Sequence, residues 1–299
     1  MIDVAVVGSL HLDIMVAAPR LPLRDETLIG SAWRTKCGGK GGNQAVAAAQ
    51  LGARVAFGGR IGKDDFGERL RANLVAAGVT ISCLAVDQAQ GSGMSVAISE
   101  ATGDYGAVVV SGANLAITSE EVASTWRALW QAKILLLQNE VPESVNLVAA
   151  AAMKKAGGIV ILNAAPARNL PAALLDCIDF LIVNRIEAEM LTGRKKPDEA
   201  LGALHRGGLS VILTMGAEGL SMMAANGATA HIPAKSVRQI STHGAGDFFC
   251  GALAARLAAG ASLEAACRYG SAAAALLVSR EDEGRAAIAH GDVEAFLKT

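Results

Sequence analysis

Aromatic residues are scarce in this chain. Phe, Trp and Tyr make up 4% of its 299 residues, while hydrophobic residues of all kinds reach 52%. Ala, Leu and Val must therefore fill a large core, and such small side chains let helices lie close on a sheet. Neither sign of charge dominates. The formal net charge is −1 and the sequence pI is near 6.5. No run of Lys and Arg forms a basic stripe, which argues against nucleic acid as a partner. No stretch reaches ~18 uninterrupted apolar residues, so no membrane span is expected. The opening MIDVAVVGS lacks a basic start followed by a long apolar segment, and it reads as a first strand rather than a signal peptide. The five cysteines (Cys37, Cys83, Cys177, Cys250, Cys267) are odd in number and form no CxxC pair. That pattern predicts buried free thiols in a reducing cytoplasm and no zinc site. The histidines also lack close metal-ligand spacing.

What the chain does have is alternation. Short apolar runs at Val4–Val7, Val55–Gly58, Ile134–Leu137, Ile159–Leu162, Phe180–Val183 and Val211–Thr214 read as strands covered on both faces. Helical patterns lie between them. Asn43 to Leu51 is Ala-rich and stops at Gly52. Phe66, Leu70 and Leu74 repeat at four-residue spacing before Gly78. Thr118 and Glu121 have capping-box spacing. Pro142 and Glu143 open a helix that ends at Gly157, and Gly246–Ala259 and Leu263–Val278 read as two long helices. Strand alternating with helix predicts a three-layer α/β/α sandwich around a mostly parallel sheet. Residues 9–36 and 93–112 break the rhythm with mixed strand signals and are expected to form a small antiparallel β-lid, the second pair turning at Thr102-Gly103-Asp104. Length alone fits about two domains, but single α/β domains of this size are common. With no linker and no repeat, one domain over 1–299 is expected.

Six segments collect polar residues or glycines at strand ends and helix starts. Thr242-His243-Gly244-Ala245-Gly246-Asp247 leads directly into a helix. Glycines there let the backbone approach a ligand, free N–H groups point outward, and the helix dipole favours negative charge. Asp247 in that first turn serves equally as a plain helix cap. Cys37-Gly38-Gly39-Lys40-Gly41-Gly42-Asn43-Gln44-Ala45 precedes another helix. It is neither a GxxxxGK[ST] phosphate loop nor a GxGxxG fingerprint, and a flexible turn for close packing explains it as well. After the first strand, His11 and Asp13 alternate with Leu10 and Leu12 and so share one face, as they also would on a solvated edge strand. Gln138-Asn139-Glu140, Asn184-Arg185-Ile186-Glu187 and Thr214-Met215-Gly216-Ala217-Glu218-Gly219 each follow a strand. Ligands of open α/β sheets bind beyond the carboxyl ends of the strands, so six such segments on one edge suit a single cleft.

Taken in this order, the segments resemble the ribokinase branch of the PfkB carbohydrate kinase family. The resemblance runs along nearly the whole chain and includes IGKDDFG (Ile61–Gly67) and SGAN (Ser111–Asn114). GGKGGNQA near the front with GAGD near the end is its most specific part. The resemblance implies an ATP-dependent sugar kinase on a ribokinase-like α/β fold with a small β-lid, through which members often dimerise. It implies Asp247 as catalytic base, with Gly244, Ala245 and Gly246 as anion hole. Asp13, Gly39, Lys40, Asn43 and Glu140 match sugar-holding positions. Asn184 and Glu187 match the motif that organises magnesium and phosphates, with Glu187 on the metal side. Thr214, Gly216 and Gly219 match the nucleotide loop.

Three departures qualify what is carried over. His11 stands where ribokinases usually have Asn, and a bulkier ring there would read the sugar differently. Ser241-Thr242-His243 stands where the family commonly has Asp-Thr-Thr, whose Asp helps bind an activating potassium ion. Arg280-Glu281-Asp282-Glu283-Gly284-Arg285-Ala286-Ala287 lacks the Ser of the family's ion loop. The last two imply weak or absent potassium activation. A nucleoside kinase, a kinase for another sugar, and a catalytically silent sugar-binding protein stay open as alternatives.

Overall fold

The computed structural model of the chain describes residues 1–100 and 105–299. In chain order its strands are β1 (Val4–Val7), β2 (His11–Ala17), β3 (Ala32–Gly38), β4 (Val55–Gly62), β5 (Thr80–Asp87), β6 (Met94–Ser99), β7 (Tyr105–Val110), β8 (Ile134–Gln138), β9 (Ile159–Asn163), β10 (Phe180–Asn184), β11 (Ser210–Thr214), β12 (Leu220–Met223) and β13 (Thr229–Ile232). Nine of them form one sheet in the order β13-β12-β11-β10-β9-β8-β1-β4-β5. Every neighbouring pair from β11 to β5 is parallel, and β12 and β13 run antiparallel at one edge.

Side-chain alternation splits the strand residues between two cores. Ala5, Val7, Leu135, Leu137, Leu162 and Leu181 pack on one face with Val122, Trp126, Val145 and Met153. Val4, Val6, Ile134, Leu136, Ile161 and Ile182 pack on the other with Ala45, Ala48, Leu253 and Ala254. Helices on both faces make the expected three-layer sandwich.

Chain order reverses between β1 and β8, where successive strands are added in opposite directions. Such a switch point opens a crevice beyond the strands' carboxyl ends. It lies between Gly8-Ser9 after β1 and Asn139-Glu140 after β8.

Differences from the sequence reading have local causes. β5, β12 and β13 were not anticipated; they lie at or beside the sheet edges and carry little apolar alternation, so ladder pairing defines them more than pattern does. β4 runs on to Gly62 through three glycines, residues of low strand propensity. Neighbours exclude a side chain at Gly58, where a Cβ would lie 2.7 Å from Leu129 and 2.9 Å from Trp126. The second sheet, β3-β2-β6-β7, is mixed rather than antiparallel, because β2 pairs β6 in parallel. The expected turn at residues 102–104 lies outside the described residues.

The helices Lys40–Gln50 and Ala245–Ala258 touch closely. A Cβ on Gly251 would meet Ala47 Cβ at 2.6 Å and Gln44 O at 2.7 Å. Alanine would gain about 1 kcal/mol of helix propensity, but the obstruction is a Cβ and main chain, neither of which can swing aside, and overpacking costs about 1–3 kcal/mol. The clash should win. Gly251→Ala is expected to lower the urea midpoint of unfolding, and an unchanged or higher midpoint would contradict the close packing.

Candidate active site

The helix Ala245–Ala258 begins at Gly244, which takes a left-handed conformation with φ of 79°. No side chain caps this end. The N–H of Ala245 reaches back three residues to Thr242 O, and that of Phe248 makes the first four-residue helical bond, to Gly244 O. Among the described residues no acceptor takes the amides of Gly246 and Asp247, so the helix mouth presents free donors and the positive end of its dipole.

Asp247 is buried here and does not cap its helix. Its Oδ2 accepts from Asn43 Nδ2 at 2.9 Å and its Oδ1 from Gln44 Nε2 at 2.9 Å. Gln44 Oε1 in turn accepts from Gln138 Nε2 at 2.7 Å, and Gln138 O accepts from Asn146 Nδ2 at 2.8 Å. Gln44, Gln138 and Asn146 are all fully buried. A chain of amides thus fixes the carboxyl group from β8 and two helices. Gly8 makes room for it, since a Cβ there would fall 2.0 Å from Gln138 Oε1. Gln44, Gln138 and Asn146 were not anticipated as site residues: neutral amides leave no charge pattern in a sequence.

Burial pushes the Asp247 carboxyl above its ordinary value. The Lys40 charge and the Asn43 and Gln44 donors pull against that, and Glu140 adds to the push. Burial works against the charged form of Lys40, yet Asp247, Glu140 and Glu187 outweigh it and hold the ammonium above its usual value. Cys250, one turn along, is pushed well up by burial and stays a thiol. All five cysteines are free.

Lys40, Asn43 and Asp247 line a cavity of about 280 Å³ with Gly244–Gly246, Asn184, Glu187 and Thr214. Asn184 and Glu187 form a capping box: Asn184 Oδ1 accepts from Glu187 N at 2.9 Å, and Glu187 Oε2 accepts from Asn184 N at 2.8 Å. Burial raises the Glu187 carboxyl, with the Asn184 amide and Lys40 opposing. A second cavity of about 420 Å³ shares Asn184, Thr214, Ala245 and Gly246 with the first and adds Gly216, Gly219, Leu220, Ala274 and Val278. It is more apolar. Gly219 has φ of 89°, and a Cβ there would lie 2.0 Å from Ile232 O. The loop needs glycine on both counts.

His11, Asp13, Gly39 and Glu140 line neither cavity but meet beside them. Glu140 Oε2 accepts from Lys40 N at 2.8 Å and from Ser9 Oγ, and it lies 4.0 Å from His11 Nδ1. His11 is buried, and its Nε2 has no partner among the described residues. Asp13 Oδ1 accepts from Ser95 Oγ at 2.5 Å. β2 sits inside the small sheet, so the edge-strand alternative for His11 and Asp13 does not hold. Gly39 has φ of 83°, and a Cβ there would lie within 3 Å of the Leu10 and His11 backbone. Asn114, from the SGAN segment, accepts from Leu10 N at 2.9 Å and donates to Leu10 O at 2.8 Å, and so sets the entry into β2.

Because the folded Asp247 value is raised, this group's contribution to stability is present below its unfolded value and is lost as pH rises through the folded one. Gln44→Leu removes a donor to the carboxylate, so the titration midpoint should climb further. A carbon-13 NMR titration of the carboxyl reads both. A parent midpoint at or below 3.8, the ordinary value, would contradict the buried setting.

Known proteins resemble the chain throughout. A family model described as pfkB family carbohydrate kinase matches residues 1–287. The chain is 35% identical over 282 residues to a ribokinase of Haemophilus influenzae, covering 92% of each protein. It is 32% identical over 273 residues to a deoxyribokinase of Salmonella typhi, covering 89% of each. Among solved structures, Arabidopsis thaliana ribokinase complexed with ribose and ATP matches with a TM-score of 0.90 at 31% identity, over 100% of this chain and 99% of that one.

Proposed function

The chain belongs to the pfkB family of carbohydrate kinases, ATP-dependent phosphotransferases, and we propose that it phosphorylates a hydroxyl of a pentose or related sugar with Asp247 as base. The observation that carries this reading is the Asp247 carboxyl, which faces the same cavity as Lys40 and the open helix mouth. ATP's adenosine occupies the more apolar cavity over Gly216 and Gly219, with its phosphates directed to Gly244–Gly246. The sugar lies on the other side, held by Asp13, Gly39, Lys40, Asn43 and Glu140. His11 offers its unpaired Nε2 to a sugar hydroxyl.

Asp247 takes the proton as the sugar oxygen bonds to the γ-phosphorus. The bond from that phosphorus to the bridging oxygen breaks and ADP leaves. Amides at Gly244–Gly246 and the Lys40 ammonium hold charge on the transferring group. The raised Asp247 value suits a base, because a carboxylate with a higher pKa accepts a proton more readily. Among the described residues no cluster of three His, Cys, Asp or Glu side chains could cage a metal. Mg²⁺ instead keeps several waters and uses one or two carboxylates plus substrate phosphates, and Glu187 beside the helix mouth fits that style. When bound, the ion would neutralise phosphate charge.

Two further parts of the reading concern the whole molecule. A cytoplasmic location agrees with ATP as co-substrate and with five free thiols, and nothing in the charge pattern invites nucleic acid. A homodimer through the small sheet agrees with its outer face. Register places Trp33, Val16 and Ile98 in one row and Thr35, Ile14, Val96 and Val108 in the next, and Trp33 and Val108 are 72% and 68% exposed. An apolar face of this kind on a soluble chain marks an interaction surface.

Assays of ADP release over a panel of pentoses, deoxypentoses, hexoses and nucleosides test the function. Asp247→Asn should lower kcat by about 10²–10⁴-fold, the usual worth of a general base, while sugar binding by calorimetry persists. A parent that binds sugar but releases no ADP would favour the silent-binding alternative. Preferential turnover of nucleosides would favour that kinase class. Repeating the panel with His11→Asn should change the ranking of sugars, and an unchanged ranking would remove His11 from the specificity set. Analytical ultracentrifugation should find a dimer that Trp33→Glu with Val108→Glu converts to monomer; a monomeric parent would sink the dimer.

A further inference from the structure

Arg285 is 7% exposed in a stretch whose neighbours Glu281, Glu283 and Ala286 are solvated. Its guanidinium is spent on main-chain carbonyls. Nε donates to Arg280 O at 3.0 Å, Nη1 to His243 O at 3.0 Å and Nη2 to Ser241 O at 2.6 Å. The nearest carboxylate oxygen, Asp282 Oδ1, lies 3.6 Å from Nη1 and also pairs with Lys36 of β3. The segment carrying Arg285 is itself clasped. Gln50, at the end of the Lys40–Gln50 helix, donates through Nε2 to Arg285 O at 2.8 Å and to Ile288 O at 2.7 Å.

Ser241 and His243 lead into Gly244 and the open helix mouth. One planar cation therefore bonds the two carbonyls just before the anion-binding turn and ties them to a distant part of the chain. Arg285 also lines a cavity of about 190 Å³ that Asn43, His243, Gly244 and Asp247 share. The family commonly binds an activating potassium ion in this region, and the departures at Ser241–His243 and in the tail imply weak or absent activation of this chain. The residues present do not fit one. Carbonyls from both stretches already face a fixed positive charge, and a second cation among them would be repelled by it.

We infer that Arg285 is a built-in cation: its guanidinium holds the Ser241–Gly246 turn in the shape that receives the transferring phosphoryl group, and turnover needs no monovalent ion. This rests on the kinase reading above. Arg285 touches neither substrate, so it is a positioning residue. The three-way fork is a geometry a guanidinium supplies and an ammonium does not.

The test compares the parent with Arg285→Ala in potassium, sodium and choline buffers. The parent should turn over equally in all three; a rate that rises many-fold in potassium overturns the inference. Arg285→Ala should lose about 10²-fold in kcat, as small misplacements do, with the sugar KM little changed. Added guanidinium should restore part of the loss, and neutral urea at the same concentration should not. Unchanged kcat, or a loss that guanidinium leaves untouched, overturns the inference. Should Arg285→Ala fail to fold, Arg285→Lys takes its place: a drop in kcat without a drop in thermal stability supports positioning, and parallel losses of both overturn it. A parent inactive on every sugar would sink the kinase reading alone. ATP binding by calorimetry then carries this test, with Arg285→Ala weakened and guanidinium restoring it.

Discussion

A carboxyl group taken out of water costs free energy unless donors and a countercharge surround it. In this chain that group is Asp247, and its surroundings are drawn from distant parts of the sequence. Asn43 and Gln44 reach it across 204 and 203 residues. Lys40 brings the countercharge from the start of the same helix. The helix mouth at Gly244 supplies free amides on the open side. Each of these depends on two helix starts lying side by side over the carboxyl ends of β1 and β8. Shifting either helix would strand a half-compensated carboxyl in the interior.

Close approach is what the glycines provide. Gly251 brings the two helices together, Gly8 admits the Gln138 amide, and at Gly41, where the front helix starts, a Cβ would fall 2.6–2.8 Å from the Gly8-Ser9 backbone. The alanine-rich core follows the same logic. A chain with few aromatics fills its layers with small side chains, so helices sit near the sheet and their first turns arrive at one crevice. Packing and site are therefore one construction. The polar chain Asn146–Gln138–Gln44–Asp247 runs through the middle layer of an otherwise apolar sandwich, and both oxygens of the Asp247 carboxyl receive a donor.

Much of this was legible in the sequence, and the rest was not for identifiable reasons. Continuous apolar runs gave β1, β8, β9, β10 and β11 to within a residue, because strands buried on both faces have no other pattern. β12 and β13 are four residues each, and pairing defines them. The glycine-lined helix starts and Asp247 stood out as motifs, and the cavity shared by Lys40, Asn43, Asn184, Glu187 and Thr214 brings those residues together. Ser9 opens the segment that carries His11 and Asp13, but its pairing with Glu140 gave no signal, because the partner is 131 residues away. Arg285 was hidden for the opposite reason. Among Arg280, Glu281, Asp282 and Glu283 it looks like one more solvated charge, and its burial emerges when the segment folds back on Ser241 and His243.

A positive charge carried on a side chain obeys different rules from one that arrives by diffusion. A free ion fills its place according to mass action, so its occupancy follows the composition of the surrounding fluid. The guanidinium of Arg285 has an effective concentration fixed by covalent connection. It is present whenever the chain is folded. On the inference drawn for Arg285, such a tether would make the turn beside it indifferent to ionic fluctuation, and it would also remove a control input: a charge that cannot leave cannot be withdrawn to slow the enzyme.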